Sequence, residues 1–287
     1  MDTLMDVPAL KDRMAAGQRT VLLDVRWALG DPHGREHYRK GHLPGAVFVD
    51  LAAELAGPPD ASRGRHPLPP PGQFQSSVRR WGIRRDDVVV AYDDSGNTAA
   101  ARLWWLLRNA GLGTVYLLDG GLAAWRAAGF GLERGEHGEH GEHGENPVPP
   151  GDTGLSEGVM PVIDAGQAAA WGRHGLLLDA RAGERYRGEI EPVDPRAGHI
   201  PGAVSAPTSA NLRSDGRFLP PEELRERFRR LGAGPTVPTA VYCGSGVTAA
   251  HEISALEIAG FPAALYPGSF SEWSNNPANA VVTGAVP

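Results

Sequence analysis

Short apolar runs alternate with amphipathic stretches along nearly the whole chain. Val21-Leu-Leu-Asp-Val25 and Val88-Val-Val-Ala-Tyr92 read as strands, and residues 99–110 as a helix with apolar positions at helical spacing. Residues 115–118 add a strand and 122–128 a helix. The second half keeps the rhythm: a helix over 165–172, a strand over 176–179, and a proline-started helix over 221–231. An apolar strand over 239–242 and a helix over 248–259 then follow. Strands alternating with helices predict an α/β fold in which small parallel sheets are flanked by helices.

The pattern also repeats in detail. Ala91-Tyr-Asp93-Asp-Ser-Gly-Asn-Thr-Ala-Ala-Ala101 aligns without a gap to Val241-Tyr-Cys243-Gly-Ser-Gly-Val-Thr-Ala-Ala-His251. Leu23-Asp-Val-Arg26 matches Leu178-Asp-Ala-Arg181, and Gly41-His-Leu-Pro-Gly-Ala-Val47 matches Gly198-His-Ile-Pro-Gly-Ala-Val204. Asp119-Gly-Gly-Leu-Ala-Ala-Trp125 loosely matches Pro267-Gly-Ser-Phe-Ser-Glu-Trp273. Matches kept in order mark a tandem duplication in which Asp93 stands where the second copy has Cys243. The predicted division is 1–130, a Gly/Pro/His-rich linker over 131–158, and 159–287. Within the linker, a Gly-Glu-His repeat carries His137, His140 and His143. It reads as a solvated spacer rather than a metal site.

Composition narrows the field. The chain has 287 residues and a net charge of −6, which leaves no electrostatic footprint for nucleic acid or an anionic membrane. Its single cysteine excludes an internal disulfide and fits a reducing cytoplasm. No apolar stretch approaches the roughly 18 residues a membrane span needs, and the N-terminus lacks the pattern of a signal peptide.

That cysteine is the strongest chemical lead. Cys243 follows an apolar strand and opens a loop of small residues that runs into a helix. Successive backbone N–H groups in such a loop converge on one point, and the helix dipole adds positive potential. Both favour a thiolate, the nucleophilic form of the side chain. A loop that grips phosphate would need an arginine near its end, where this chain has Thr248, so a cysteine phosphatase is disfavoured.

Together these motifs resemble the tandem-domain rhodanese family of sulfurtransferases, over nearly the whole chain apart from the His-rich linker. The resemblance implies a catalytically inert first domain with Asp93 at the cysteine position, a catalytic second domain, and an active site at the cleft between them, without a metal or other cofactor. Thiosulfate-using members carry basic residues just after the cysteine. Cys243-Gly-Ser-Gly-Val-Thr248 instead looks like the form that takes sulfur from 3-mercaptopyruvate, and an uncharged loop suits a monoanion. The resemblance places the substrate's carboxylate on Arg187 and Arg196, whose guanidinium forks match a carboxylate in bidentate fashion. It places Ser245 as a proton relay, assisted by Asp60 and His66 of Asp60-Ala-Ser-Arg-Gly-Arg-His66. The N–H groups from Gly244 through Gly246 and Val247 to Thr248 would hold the anionic sulfur. A persulfide on Cys243 would then pass to cyanide or a thiol acceptor such as thioredoxin. Thiosulfate:cyanide sulfur transfer is the alternative enzyme reading, and a persulfide carrier without catalysis a third. His42 and His199 occur in both copies and read as fold-supporting, as do Asp24 and Asp179.

Overall fold

The computed structural model describes residues 2–136, 149–156 and 158–286; His137, His140 and His143 lie outside them. The described residues form two parallel sheets with one plan. The first comprises β1 (Leu4–Met5), β2 (Thr20–Asp24), β3 (Val47–Phe48), β4 (Val88–Tyr92) and β5 (Val115–Leu118), in the order β1-β5-β4-β2-β3. The second comprises β6 (Leu176–Asp179), β7 (Ala203–Ser205), β8 (Thr239–Tyr242) and β9 (Ala264–Leu265), in the order β7-β6-β8-β9. Every strand pair is parallel, and in each sheet the strand before the Asp-x-Arg motif lies beside the strand before the Asp93 or Cys243 loop. The counterpart of β1 shrinks to a single bridge from Val162 to Leu265.

Two compact units carry these sheets. One contains Met1–Ala56, Pro69–Val159 and Ser214–Arg217; the other contains Gly57–Leu68, Met160–Arg213 and Phe218–Pro287. Residues 57–68, which the sequence division assigns to the first half, thus belong to the second unit. Central strands are buried on both faces because helices cover both sides, so their residues read as continuous apolar runs rather than alternating ones. Main helices fall within a residue or two of expectation, at Ala100–Asn109, Gly121–Ala127, Ala165–Trp171, Pro221–Arg230 and Thr248–Ala259. Asp164 and Gln167 close a reciprocal capping box at the start of one of them. The short edge strands β1, β3, β7 and β9, at two or three residues each, carry too little periodicity to be seen in the sequence. No described helix is long and apolar enough to cross a membrane.

The duplicated motifs are structural girders. Arg181 donates from Nε and Nη2 to Asp179 and from Nη2 to the Gly198 carbonyl; Arg26 does the same with Asp24 and the Gly41 carbonyl. Each ties the end of a strand to the Gly-His-x-Pro-Gly turn. The histidine of that turn stacks on a tyrosine, His199 on Tyr186 at 3.7 Å and His42 on Tyr38 at 3.9 Å between ring centres. Each tyrosine hydroxyl then donates to a carbonyl of the same turn, Ala203 or Ala46, at 2.7 Å. Asp24 and Asp179 are fully buried, so their charges depend on these arginines. Arg26→Met and Arg181→Met are each expected to destabilise their own unit by about 3–5 kcal/mol in urea unfolding. A loss below about 1 kcal/mol would show that the carboxylates find other partners.

Candidate active site

Cys243 sits at the C-terminal end of β8 and is 1% exposed. Four hydrogen bonds pin its neighbourhood. Its N–H donates to Ser269 Oγ at 3.2 Å, its carbonyl accepts from Phe270 N–H at 2.9 Å, and the Gly244 carbonyl accepts from Ser271 N–H at 2.8 Å. The fourth carries the chemistry: the Gly246 N–H points at Sγ, at 3.1 Å. Gly246 reaches that pose at φ +78°, where only a residue without Cβ is at ease. Ser269 occupies the same region at φ +54°, and its twin in the first copy is Gly121 at +53°. A non-glycine residue there is strained by about 1–3 kcal/mol. What holds it is its hydroxyl, which accepts from Cys243 N–H and donates to the Tyr266 carbonyl at 2.8 Å. Sequence reading missed Ser269; its mismatch with Gly121 was the available signal.

The first copy shows what such a loop does with an anion. The Asp93 carboxylate is fully buried and accepts N–H bonds from Ser95, Asn97, Ala99 and Ala100 at 2.7–3.1 Å. The ungapped alignment sets these positions against Ser245, Val247, Ala249 and Ala250. Burial pushes the Asp93 carboxyl up, and the convergent backbone amides work against that shift.

Beside Cys243, Ser245 Oγ is hydrogen-bonded to His66 Nδ1 at 2.8 Å. His66 is 179 residues away in sequence, carried in by the segment Gly57–Leu68. Asp60 does not join them. It is exposed and builds a turn, accepting at Oδ1 from Ser62 N–H and Oγ–H, while its backbone pairs with that of Gly64. The Ser62 bonds hold its carboxyl below the ordinary range. The Asp60 carboxylate closes its own turn, in the segment that presents His66. Gly64, at φ +90°, lets this segment lie against Gly268 and Ser271; a Cβ there would come within 2.6 Å of the Gly268 carbonyl oxygen.

Arg187 and Arg196, on which the resemblance places the donor carboxylate, both have partners within the protein. Arg196 spends its guanidinium on four backbone carbonyls, those of Ser274, Asn279, Trp273 and Asn276, at 2.7–3.0 Å. It closes the C-terminal end of helix Ser269–Asn275, as a cation there should. Arg187 is half-buried and makes a fork-to-fork pair with Glu189 at 2.7 and 2.8 Å. The arginines that do approach the cysteine loop are Arg185 and Arg65. A Cβ added to Gly244 would lie 3.4 Å from Arg185 Nη1 and 3.1 Å from Arg65 Nη2. Arg185 also bonds Glu191 at 2.6 Å and Asp194 at 3.1 Å, and Arg65 bonds the other oxygen of Asp194. Burial alone would push the Glu191 carboxyl up, but Arg185 and the amides of Asp194 and Val193 bring it below the ordinary range. Arg185 and Arg187 lie on one short helix, Gly183–Arg187, where residues two apart point to different sides. Of these two, Arg185 is the one that approaches Gly244.

The Rhodanese-like domain family matches residues 6–128 and 164–276. The chain belongs to that family. A Pseudomonas aeruginosa protein provisionally named a 3-mercaptopyruvate sulfurtransferase is 50% identical over 271 residues, which cover 92% of each chain. A Mycobacterium tuberculosis protein provisionally named thiosulfate sulfurtransferase SseB is 46% identical over 281 residues, covering 98% of this chain and 97% of that one. The crystal structure of SseA from Escherichia coli, titled as a rhodanese fold and a 3-mercaptopyruvate sulfotransferase, superposes with a TM-score of 0.80 at 30% identity. It covers 94% of this chain and 99% of that one. The duplication found in the sequence is therefore a pair of rhodanese domains, with Asp93 and Cys243 at equivalent places.

Variants at Arg187 and Arg196 check their part in donor binding directly. Arg187→Ala should leave the donor KM within about twofold and stability within about 0.5 kcal/mol, as surface substitutions do. Arg196→Met should lower stability by about 2–3 kcal/mol, because it leaves several carbonyls without donors, yet move the donor KM little. A rise of tenfold or more in KM for either variant, with folding intact, would restore it to the binding site.

Proposed function

We propose that this rhodanese is a sulfurtransferase that takes the sulfur of 3-mercaptopyruvate onto Cys243 and passes it to a thiol or cyanide. The observation that carries the reading is the matched pair of loops. An Asp93 carboxylate oxygen stands two bonds from Cβ, as does the outer sulfur of a cysteine persulfide, and it is held by four amides. The twin loop around Cys243 offers the same reception to a persulfide anion. The similarity to 3-mercaptopyruvate sulfurtransferases supports the donor, and the absence of a basic side chain in Cys243-Gly-Ser-Gly-Val-Thr248 suits a monoanion.

In this reading the Cys243 thiolate attacks the donor sulfur and an S–S bond forms. The carbon–sulfur bond breaks, its electron pair stays on carbon, and pyruvate departs as its enolate. Ser245, with His66 behind it, passes the proton that converts the enolate to pyruvate. Arg185 holds the donor carboxylate in place of the arginines expected from the motif. Amides from Gly244 to Thr248 stabilise the anionic sulfur as an oxyanion hole stabilises oxygen. A thiolate acceptor then attacks the outer sulfur and restores Cys243. Two half-reactions through one covalent intermediate give ping-pong kinetics. A thioredoxin-like dithiol in the cytoplasm is a suitable acceptor for a chain with one cysteine.

A second donor is favoured by one observation: the SseB relative bears the name of a thiosulfate sulfurtransferase. Intact-mass measurement after either donor separates the two. One added sulfur from mercaptopyruvate, with pyruvate released, is expected on the wild type and on no molecule of the Cys243→Ser variant. Faster loading by thiosulfate would transfer the assignment to that donor. Ser245→Ala and His66→Gln should each slow pyruvate formation by about 10²–10⁴-fold, the usual reach of a positioned proton-transfer group. Unchanged rates would remove the pair from the reaction.

A further inference from the structure

Arg65, Asp194 and Arg185 form an arrangement that neither the loop nor the duplication explains. The Asp194 side chain is 1% exposed and lies between two guanidinium groups, with Oδ1 on Arg65 and Oδ2 on Arg185. The series continues through Glu191 to Arg181 and Asp179. It thus alternates three cations with three anions, and its Arg65 end and Arg185 reach the loop that opens with Cys243. Gly244 lets both guanidinium groups close on the loop: a Cβ there would lie 3.1 Å from Arg65 Nη2 and 3.4 Å from Arg185 Nη1. Arg65 Nε–H, moreover, is buried without a hydrogen-bond partner, a donor whose desolvation nothing in the protein offsets.

We infer that Asp194 is a specificity-determining residue of the donor site: it clamps Arg65 and Arg185 over Gly244 and cancels one unit of their charge. This inference rests on the sulfur-donor reading above and deepens it. Two free guanidinium groups would favour a dianion such as thiosulfate. With a fixed carboxylate between them, the mouth keeps directed N–H donors but loses net positive charge, which suits the monoanion of mercaptopyruvate. Coulomb energy scales with the product of charges, so a unit change at the site alters the logarithm of KM twice as much for a dianion as for a monoanion. Glycine at 244 keeps the anion close enough to feel that difference.

Two variants of opposite sign test this, each assayed with both donors. Asp194→Asn adds one positive charge, and KM should fall about tenfold for thiosulfate but about threefold for mercaptopyruvate. Arg65→Met removes one, and KM should rise in the same two proportions. A purely structural role would move both donors equally, and in the same direction for both variants; that result overturns the inference. Should Asp194→Asn fail to fold, the partly exposed Arg65 still decides, because only a charge effect gives a larger rise for the dianion. Intact mass of wild-type Cys243 after each donor separates the two levels of failure. A persulfide with no change in donor ratio sinks the inference alone, whereas no persulfide from either donor sinks the sulfur-transfer reading and the inference with it.

Discussion

An acceptor buried at the end of a parallel strand needs backbone amides turned toward it, and the two loops of this protein are built around that requirement. Both copies meet it with the same strand, loop and helix. In the first copy Asp93 is present permanently and takes four N–H bonds; in the second the shorter Cys243 side chain takes one from Gly246. A shared backbone design with different side-chain length and chemistry yields an internally satisfied loop in one case and, in the proposed reaction, the nucleophile's loop in the other. The parallel sheet puts both loops at the carboxyl ends of their central strands, where such folds bind ligands. The buried Asp-x-Arg pairs and stacked His–Tyr turns hold the neighbouring strand ends in place.

Around the cysteine the protein keeps charge close but balanced. A mobile arginine near a thiolate attracts any anion; one locked to a buried carboxylate presents its donors along fixed directions. Arg185 and Arg65 are of the second kind. Arg196 and Arg187 show how little the residue type alone says, since the same guanidinium closes a helix in one place and pairs with an exposed glutamate in another. Serine in a strained pose at 269 belongs with the loop for the same reason. Its hydroxyl holds the Cys243 amide, a task that glycine at its twin position does not perform.

Much of this was legible in the chain. The repeat, the central strands, the long helices and the cysteine loop follow from local pattern, because a strand buried on both faces and a helix with an apolar stripe write their periods into the residues. The role of the paired histidines could also be read, since a feature present in both the Asp93 and Cys243 copies is not specific to the reactive one. Less legible were edge strands of two or three residues, which have no period to detect. Asp60 was placed beside Ser245 by the resemblance of its segment to related enzymes, and the local bonds that Ser62 makes to its carboxylate were not legible there.

By itself, then, the sequence determined that two α/β units descend from one plan, that one keeps a carboxylate and the other a thiol, and that this thiol opens an amide-lined loop. These are matters of local order, recorded in neighbouring residues. Tertiary structure alone decided which arginines face Gly244, which of Asp60 and His66 meets Ser245, and that Asp194 joins two guanidinium groups. Each of those choices depends on helix phase, on the curl of a turn, or on a segment brought in from far along the chain. Directions of that kind emerge only when the chain is packed, because side chains adjacent in sequence can point to opposite sides of the element that carries them.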